Sequence, residues 1–280
     1  MMAEAPRVDA NGASVPCLGL GTWPLSGEGC IRAVEAALGC GYRHVDTAKM
    51  YGNEREVGEG LRSSGIARDD VFVTTKVWWE DIASGALERS AEASLGRLGL
   101  DRVDLLLIHW PNPAVPLRDS TGALCRAKRA GLARHVGVSN YPAAMLDEAV
   151  ALADEPLVVN QVEYHPYLSQ KAVRDACRRH GMAMTAYCPL GRSGVFENPV
   201  LRSIAGRHGR TVSQVVLRWH VQQPGTIAIP KSGTPKHIAE NIAIFDFALS
   251  EDEMAQVSAL ARPDGRVVDP AFAPAWDEAA

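Results

Sequence analysis

Four residues with complementary chemistry, Asp46, Tyr51, Lys76 and His109, stand at or just beyond the ends of short apolar runs. A tyrosine, with a reference pKa near ~10, is a poor acid at neutral pH. A lysine ammonium beside it stabilises the phenolate and lowers that pKa. An aspartate paired with the lysine keeps it charged and oriented, and a histidine next to the tyrosine can position a carbonyl oxygen by a hydrogen bond. The set is a proton donor aimed at a carbonyl, which is general acid catalysis. A carbonyl that gains a proton on oxygen must gain a hydride on carbon. No side chain supplies hydride, so the chemistry asks for a nicotinamide or a flavin. Singly, each residue has a plainer reading: a structural ion pair for Asp46 or Lys76, a rim aromatic for Tyr51, a hydrogen-bonded core histidine for His109. Their joint placement on three successive run ends carries the catalytic reading.

Elements must bring these residues together. Strand-like runs fall at 17–20, 43–47, 71–75, 103–108, 134–138, 157–162, 182–187 and 226–229, with helical patterns between them at 30–38, 53–63, 86–97, 142–152, 170–180, 198–208, 211–222 and 234–242. Thr211 with Gln214 fits a capping box, and Asn11-Gly12 between β-prone pieces reads as a hairpin turn. Strands alternating with helices imply a parallel sheet with right-handed crossovers. All eight runs end in glycine or polar residues: Gly21-Thr22, Asp46, Lys76, His109, Ser139-Asn140, Gln161, Tyr187 and Lys231-Ser232. An open sheet would scatter these ends, whereas a closed barrel gathers them around one mouth. No GxGxxG is present, the nearest approach being LGLGT at 18–22. The expectation is a single (β/α)₈ TIM barrel over residues 1–280, with an N-terminal β-hairpin and extra helices, since the long gap from 187 to 231 holds two.

Composition fits this reading. A hydrophobic fraction of 46% with 22% charged residues suits a globular chain. The net charge of −4 asks for neither nucleic acid nor an anionic membrane. No apolar run reaches the ~18–20 residues of a membrane span, and MMAEAPRVDA lacks the apolar core of a secretory signal. Six scattered cysteines without a CxxC pair suit reduced thiols in a cytoplasm.

The segments GYRHVDTAKMYGNEREVG, VFVTTKVW, VDLLLIHWP, GVSNY, NQVEYHPYL, AYCPLG and IPKS, in this order over about residues 16 to 245, resemble the signatures of the aldo-keto reductase superfamily. The resemblance implies an NADPH-binding barrel that reduces aldehydes and ketones. Asp46, Tyr51, Lys76 and His109 would be its tetrad, with Tyr51 the acid, Lys76 and Asp46 tuning it and His109 orienting the substrate. It implies a cofactor site in which Gly21, Thr22 and Asp46 contribute, Ser139, Asn140 and Gln161 hold the carboxamide, and Tyr187 stacks on the ring. Cys188, Pro189, Leu190, Gly191 and Arg192 would follow the pyrophosphate, Lys231 and Ser232 would meet the 2′-phosphate, and Glu240 and Asn241 the adenine. Two departures stand out. His237 replaces an arginine frequent six residues after this lysine, and histidine lacks the bidentate guanidinium contact. NADPH is therefore expected to be preferred through Lys231, with NADH possible. Cys188 replaces a frequent serine, and its thiol is a weaker hydrogen-bond partner.

Trp23, Trp78, Trp79, Trp110 and Trp276 are expected near the mouth, with Trp23, Tyr51, Trp78, His109 and Trp110 meeting the substrate. No metal is called for, because among the strand-end positions only Asp46 and His109 could serve a metal-dependent hydrolase. The short tail and the compact loop after His109 resemble bacterial 2,5-diketo-D-gluconate reductases of the B type, which implies small dicarbonyls, methylglyoxal among them. A different class, an NADPH-binding redox sensor with little turnover, keeps the same residues. A monomer is expected because one barrel completes core and site.

Overall fold

The computed structural model describes residues 5–277. An antiparallel hairpin, β1 (Arg7–Ala10) and β2 (Ala13–Pro16), precedes eight parallel strands. These are β3 (Leu20–Gly21), β4 (His44–Asp46), β5 (Phe72–Val77), β6 (Val103–Ile108), β7 (Ala133–Ser139), β8 (Leu157–Glu163), β9 (Ala183–Tyr187) and β10 (Thr226–Ala228). They pair in sequence order. The first strand meets the last through bridges Leu18–Ala228 and Gly21–Lys231. There the Gly19 amide donates to the Ala228 carbonyl at 2.9 Å, and the Ala228 amide donates to the Cys17 carbonyl at 2.9 Å. The sheet is thus a (β/α)₈ barrel.

Helices surround it: α1 (Gly27–Gly39), α2 (Glu54–Ser63), α3 (Ala86–Leu98), α4 (Leu117–Arg129), α5 (Ala143–Leu152), α6 (Lys171–Arg179), α7 (Pro199–His208), α8 (Val212–Val221), α9 (Pro235–Ile242) and α10 (Glu251–Ser258). None is long and apolar enough to cross a membrane. The expected capping box is present: Thr211 Oγ1 accepts from the Gln214 amide while Gln214 Oε1 accepts from the Thr211 amide. Both α7 and α8 occupy the long gap before β10.

Two expectations need correction. The run at 17–20 contributes only its last residue to the regular strand β3, with Leu18 joining as a single bridge. Helices α4 and α10 lie outside the predicted helical runs. The buried face of α4 is built from small residues such as Ser120, Thr121, Ala123 and Ala127, and α10 buries only Glu253 and Val257. Such faces give almost no apolar periodicity.

The interior is organised by the two-residue period of the strands. Val73 and Val77 of β5 and Leu106 and Ile108 of β6 join the helix-facing core. Phe72, Leu105 and Leu107 pack instead into a separate interior cluster with Val159, Ala183 and Ile227. Ala10, Ala13 and Val15 of the hairpin close the floor of that cluster. The turn that places them uses Asn11 and Gly12 at φ 45° and 86°. Asn11 Nδ2 donates to the carbonyls of Leu157 and His180, tying the turn beneath the barrel. Beyond the apolar floor, the same inward stripes carry Lys76, four residues after Phe72, and His109, two after Leu107, to the opposite end. The six cysteines are unpaired.

Candidate active site

The inward stripes end in a buried ion pair. Lys76, fully buried at the end of β5, donates from Nζ to Asp46 Oδ1 at 2.5 Å, to the Thr47 carbonyl at 2.8 Å and to the Tyr51 hydroxyl at 3.2 Å. All three ammonium protons are thereby directed. The other Asp46 oxygen, Oδ2, accepts from Gln161 Nε2 at 2.7 Å. With both carboxylate oxygens engaged, Asp46 cannot turn away from the lysine. Tyr51 sits in a single helical turn, Lys49–Tyr51, that ends at Gly52 with φ 69°. That turn is held by the buried Asn53, which accepts from the Thr47 hydroxyl and donates to the carbonyls of Thr22 and Leu25. An ion pair between Lys49 and Asp81 supports it from outside.

The His109 ring meets the Tyr51 ring edge-on at 5.6 Å between centroids. The Asn140 amide donates to the His109 backbone carbonyl at 2.9 Å, while its Oδ1 accepts from the Tyr187 hydroxyl at 2.8 Å. Asn140 adopts φ 63°, a left-handed position that asparagine tolerates. The Ser139 hydroxyl donates to the Gln161 carbonyl at 2.8 Å. Strands β4 to β9 are thus linked at the mouth by one hydrogen-bonded layer.

Burial governs the protonation of this layer. It pushes the Tyr51 phenol well above its ordinary 10.0, and the charge of Asp46 adds to the rise. It also pulls the Lys76 ammonium down against the opposing pull of Asp46, and it holds the His109 imidazole well below 6.5, helped by the charge of Lys76. Burial and the Asp46 charge keep Tyr51 protonated at rest, the form from which an acid donates. Because Lys76 already donates to the Tyr51 oxygen, the phenolic proton is left to point elsewhere, and the same ammonium stabilises the oxygen once that proton has gone.

These residues line a cavity of about 530 Å³. It brings together Gly21, Thr22, Trp23, Asp46, Tyr51, His109, Trp110, Asn140, Gln161, Tyr187, Cys188, Pro189, Leu190 and Lys231. Its far arm follows the loop after β9, where Cys188, Gly191, Arg192 and Ser193 all take positive φ. Lys231 is exposed, as are Lys236 and His237 at the start of α9, while Asn241 is buried on the same helix. Ser232 accepts from the Thr234 amide at 3.1 Å, and Glu240 faces Lys236 at 3.7 Å. Ser139, Gly191, Ser232, His237, Glu240 and Asn241 do not line the cavity itself.

Of the tryptophans, Trp23 (48% exposed) leans on Tyr51 at 5.3 Å, and Trp110 lines the wall. Trp78 packs edge-on against His109 at 5.2 Å, behind the wall and outside the cavity lining. Trp79 stacks on Phe272 at 4.8 Å, and Trp276 meets Trp110 at 5.9 Å.

The profile of the aldo/keto reductase family matches residues 17–262. The chain belongs to the aldo/keto reductase family. Morphine 6-dehydrogenase of Pseudomonas putida is 41% identical over 96% of this chain and 97% of its own. Glyoxal reductase of Bacillus subtilis (strain 168) is 42% identical over 89% and 90%. A crystal structure provisionally named a 2,5-diketo-D-gluconic acid reductase B is 49% identical, covers 98% of each chain and superposes with TM-score 0.96. The Bombyx mori aldo-keto reductase in complex with NADP is 33% identical, covers 95% and 96%, and gives TM-score 0.88. This aldo/keto reductase is accordingly an oxidoreductase.

Its site includes residues that sequence reasoning passed over. Met50, Ile229 and Val268 line the same cavity. The buried Glu163 lies at the end of β8, two residues after Gln161 and so on the same inward stripe. That period was a usable signal for Glu163. Nothing local marks Val268, which reaches the cavity only through the path of the C-terminal segment.

Proposed function

We propose that the protein uses NADPH to reduce small uncharged dicarbonyls of the methylglyoxal kind to hydroxycarbonyls, with Tyr51 as general acid. The observation that carries this reading is the convergence of Lys76 on Asp46 and Tyr51 at the base of a cavity that also holds His109. The residues fit a dinucleotide. Asn140, Gln161 and the plane of Tyr187 stand where a nicotinamide would lie, and the left-handed turns of residues 188–193 bring backbone close to its pyrophosphate. Lys231 and Lys236 offer cations to a 2′-phosphate, with His237 beside them. The nicotinamide supplies hydride. His109, neutral through burial, hydrogen-bonds the carbonyl oxygen, and Tyr51 gives that oxygen its proton. Lys76 holds the charge left on the phenolate, and Asp46 keeps Lys76 in place.

The substrate side favours an uncharged molecule. Near Tyr51 and His109 the walls are Trp23, Met50, Trp110 and Val268. The exposed cations of the cavity, Arg192 and Lys231, stand on the loop after β9 and beyond β10, the arm given to the cofactor. A carboxylate such as 2,5-diketo-D-gluconate therefore finds no exposed cation beside the acid, the Lys76 ammonium there being buried and paired with Asp46. One chain supplies every wall, which suits action as a monomer. The test is NADPH consumption with methylglyoxal, 2,5-diketo-D-gluconate and aromatic aldehydes, repeated with NADH. Turnover fastest with methylglyoxal supports the reading. Tight NADPH binding without turnover of any carbonyl would sink it and favour a redox sensor.

A further inference from the structure

The last described residues form a strap across the barrel mouth. Its approach is fixed against the turn after β8. The Arg262 amide donates to the Tyr167 carbonyl at 3.1 Å, and a Cβ on Gly265 would fall 1.8 Å from the same oxygen. Its far side is held where Asp277 accepts from the Ala143 amide at the start of α5. Midway, Phe272 stacks on Trp79 and meets Trp78 and Trp110 edge-on. Between these anchors Val268 lines the catalytic cavity, and Val267 beside it is 38% exposed.

One buried carboxylate sets the height of Val268. Glu163 Oε1 accepts from the Val267 amide at 2.7 Å, and its Oε2 accepts from the Val268 amide at 2.8 Å. Two consecutive backbone N–H groups thus converge on a single carboxylate, a concave amide nest closed around an anion. The carboxylate is itself fixed, since His165 Nε2 lies 2.8 Å from Oε1. None of these contacts takes part in the proton transfer described above.

We propose that Glu163 is a positioning residue that sets substrate selectivity, by pinning the backbone of residues 267–268 so that Val268 closes the substrate side of the cavity. This rests on the carbonyl-reductase reading. Glutamine at 163 keeps the size of the side chain but offers one acceptor to two amides and turns an N–H toward the second. That buried amide loses its partner, the strap lifts, and the wall at Val268 opens.

The experiment is a double-mutant cycle of Glu163→Gln and Val268→Ala in the full chain. It reads kcat and KM for methylglyoxal and for a bulky aromatic aldehyde, with NADPH affinity followed by titration. In Glu163→Gln, KM for methylglyoxal should rise by about tenfold while kcat holds within about threefold. The ratio of kcat/KM values should move toward the bulky aldehyde. In the Val268→Ala background the same change at 163 should leave that ratio nearly unmoved. A uniform fall in kcat for both substrates with the ratio unchanged would show a merely structural role and overturn the proposal, as would additive effects of the two substitutions. If Glu163→Gln does not fold, Val268→Ala alone decides: an unchanged ratio refutes Val268 as the selective wall. Absence of turnover by the wild-type chain with every carbonyl is a separate result, which removes the carbonyl-reductase reading and the proposal with it.

Discussion

At the scale of single residues, the site works by holding a proton where it is needed. Tyr51 is the proposed donor, its oxygen touching Lys76 and its side chain lining the cavity. Tyr51→Phe removes the proton and little else, so carbonyl reduction should fall by at least about 10²-fold while NADPH binding persists. Steady-state rates and a fluorescence titration check this, and a near wild-type kcat would rule out the assigned acid. Burial also sets the pH behaviour. Tyr51 rests well above 10.0 and His109 well below 6.5, so neither changes charge across neutral pH. In the reductive direction kcat/KM should be flat between about pH 7 and about pH 9. A break inside that window would show that the phenol or the Lys76 ammonium titrates there. A third prediction concerns His237, which is exposed beside Lys236. His237→Arg adds a fixed charge with a bidentate fork and should raise kcat/KM for NADPH over NADH by about tenfold, read by assaying both cofactors.

At the scale of elements, the catalytic residues depend on helices that never touch the cavity. Helix α2 carries the buried Glu54, whose oxygens accept from the Thr75 hydroxyl at 2.6 Å and from Arg97 of α3 at 2.7 Å. It thereby locks β5 one residue before Lys76. The approach of α2 to α3 needs a glycine, since a Cβ on Gly58 would fall 2.1 Å from the Leu98 carbonyl, which is backbone and cannot yield. Gly58→Ala should destabilise the fold by about 3 kcal/mol. Gly29→Ala in α1 meets nothing within 4 Å and should stabilise by up to about 1 kcal/mol. Urea unfolding of the pair checks both signs. The same scale explains what was legible in the sequence. Asp46, Lys76, His109 and Gln161 were readable because each ends a strand, and the two-residue period turns all of them inward. Helix α4 was not, because it buries small residues. The C-terminal strap was not, because Glu163 meets residues about a hundred positions later in the chain.

At the scale of the whole molecule, His44 and His220 join His109 as buried histidines whose protonation opposes folding. His44 stands inside the barrel, edge-on to Phe72 of the floor at 5.3 Å, with Nε2 paired to the Thr74 hydroxyl and Nδ1 without a partner. His220 of α8 has Nε2 on the Pro189 carbonyl, in the loop of the cofactor arm, and its Nδ1 is also unpartnered. Burial pulls them from 6.5 down to about 4 and about 3. A depressed folded value means that above pH 6.5 both states are neutral and the full stability is present. As pH falls below 6.5 the unfolded chain takes protons that the folded chain refuses, and the loss continues until the folded value is reached. For His44 alone this amounts to on the order of 3 kcal/mol at its limit, and about 2 kcal/mol by pH 5. Thermal unfolding should therefore show Tm falling steadily between about pH 7 and about pH 5, where most carboxylates keep their charge. His44→Gln removes one of these titrating groups, so whatever its stability at pH 7, its Tm should fall less steeply over the same range. Parallel slopes for the two proteins would show that His44 is not resisting protonation in the folded barrel, and that the acid sensitivity arises elsewhere.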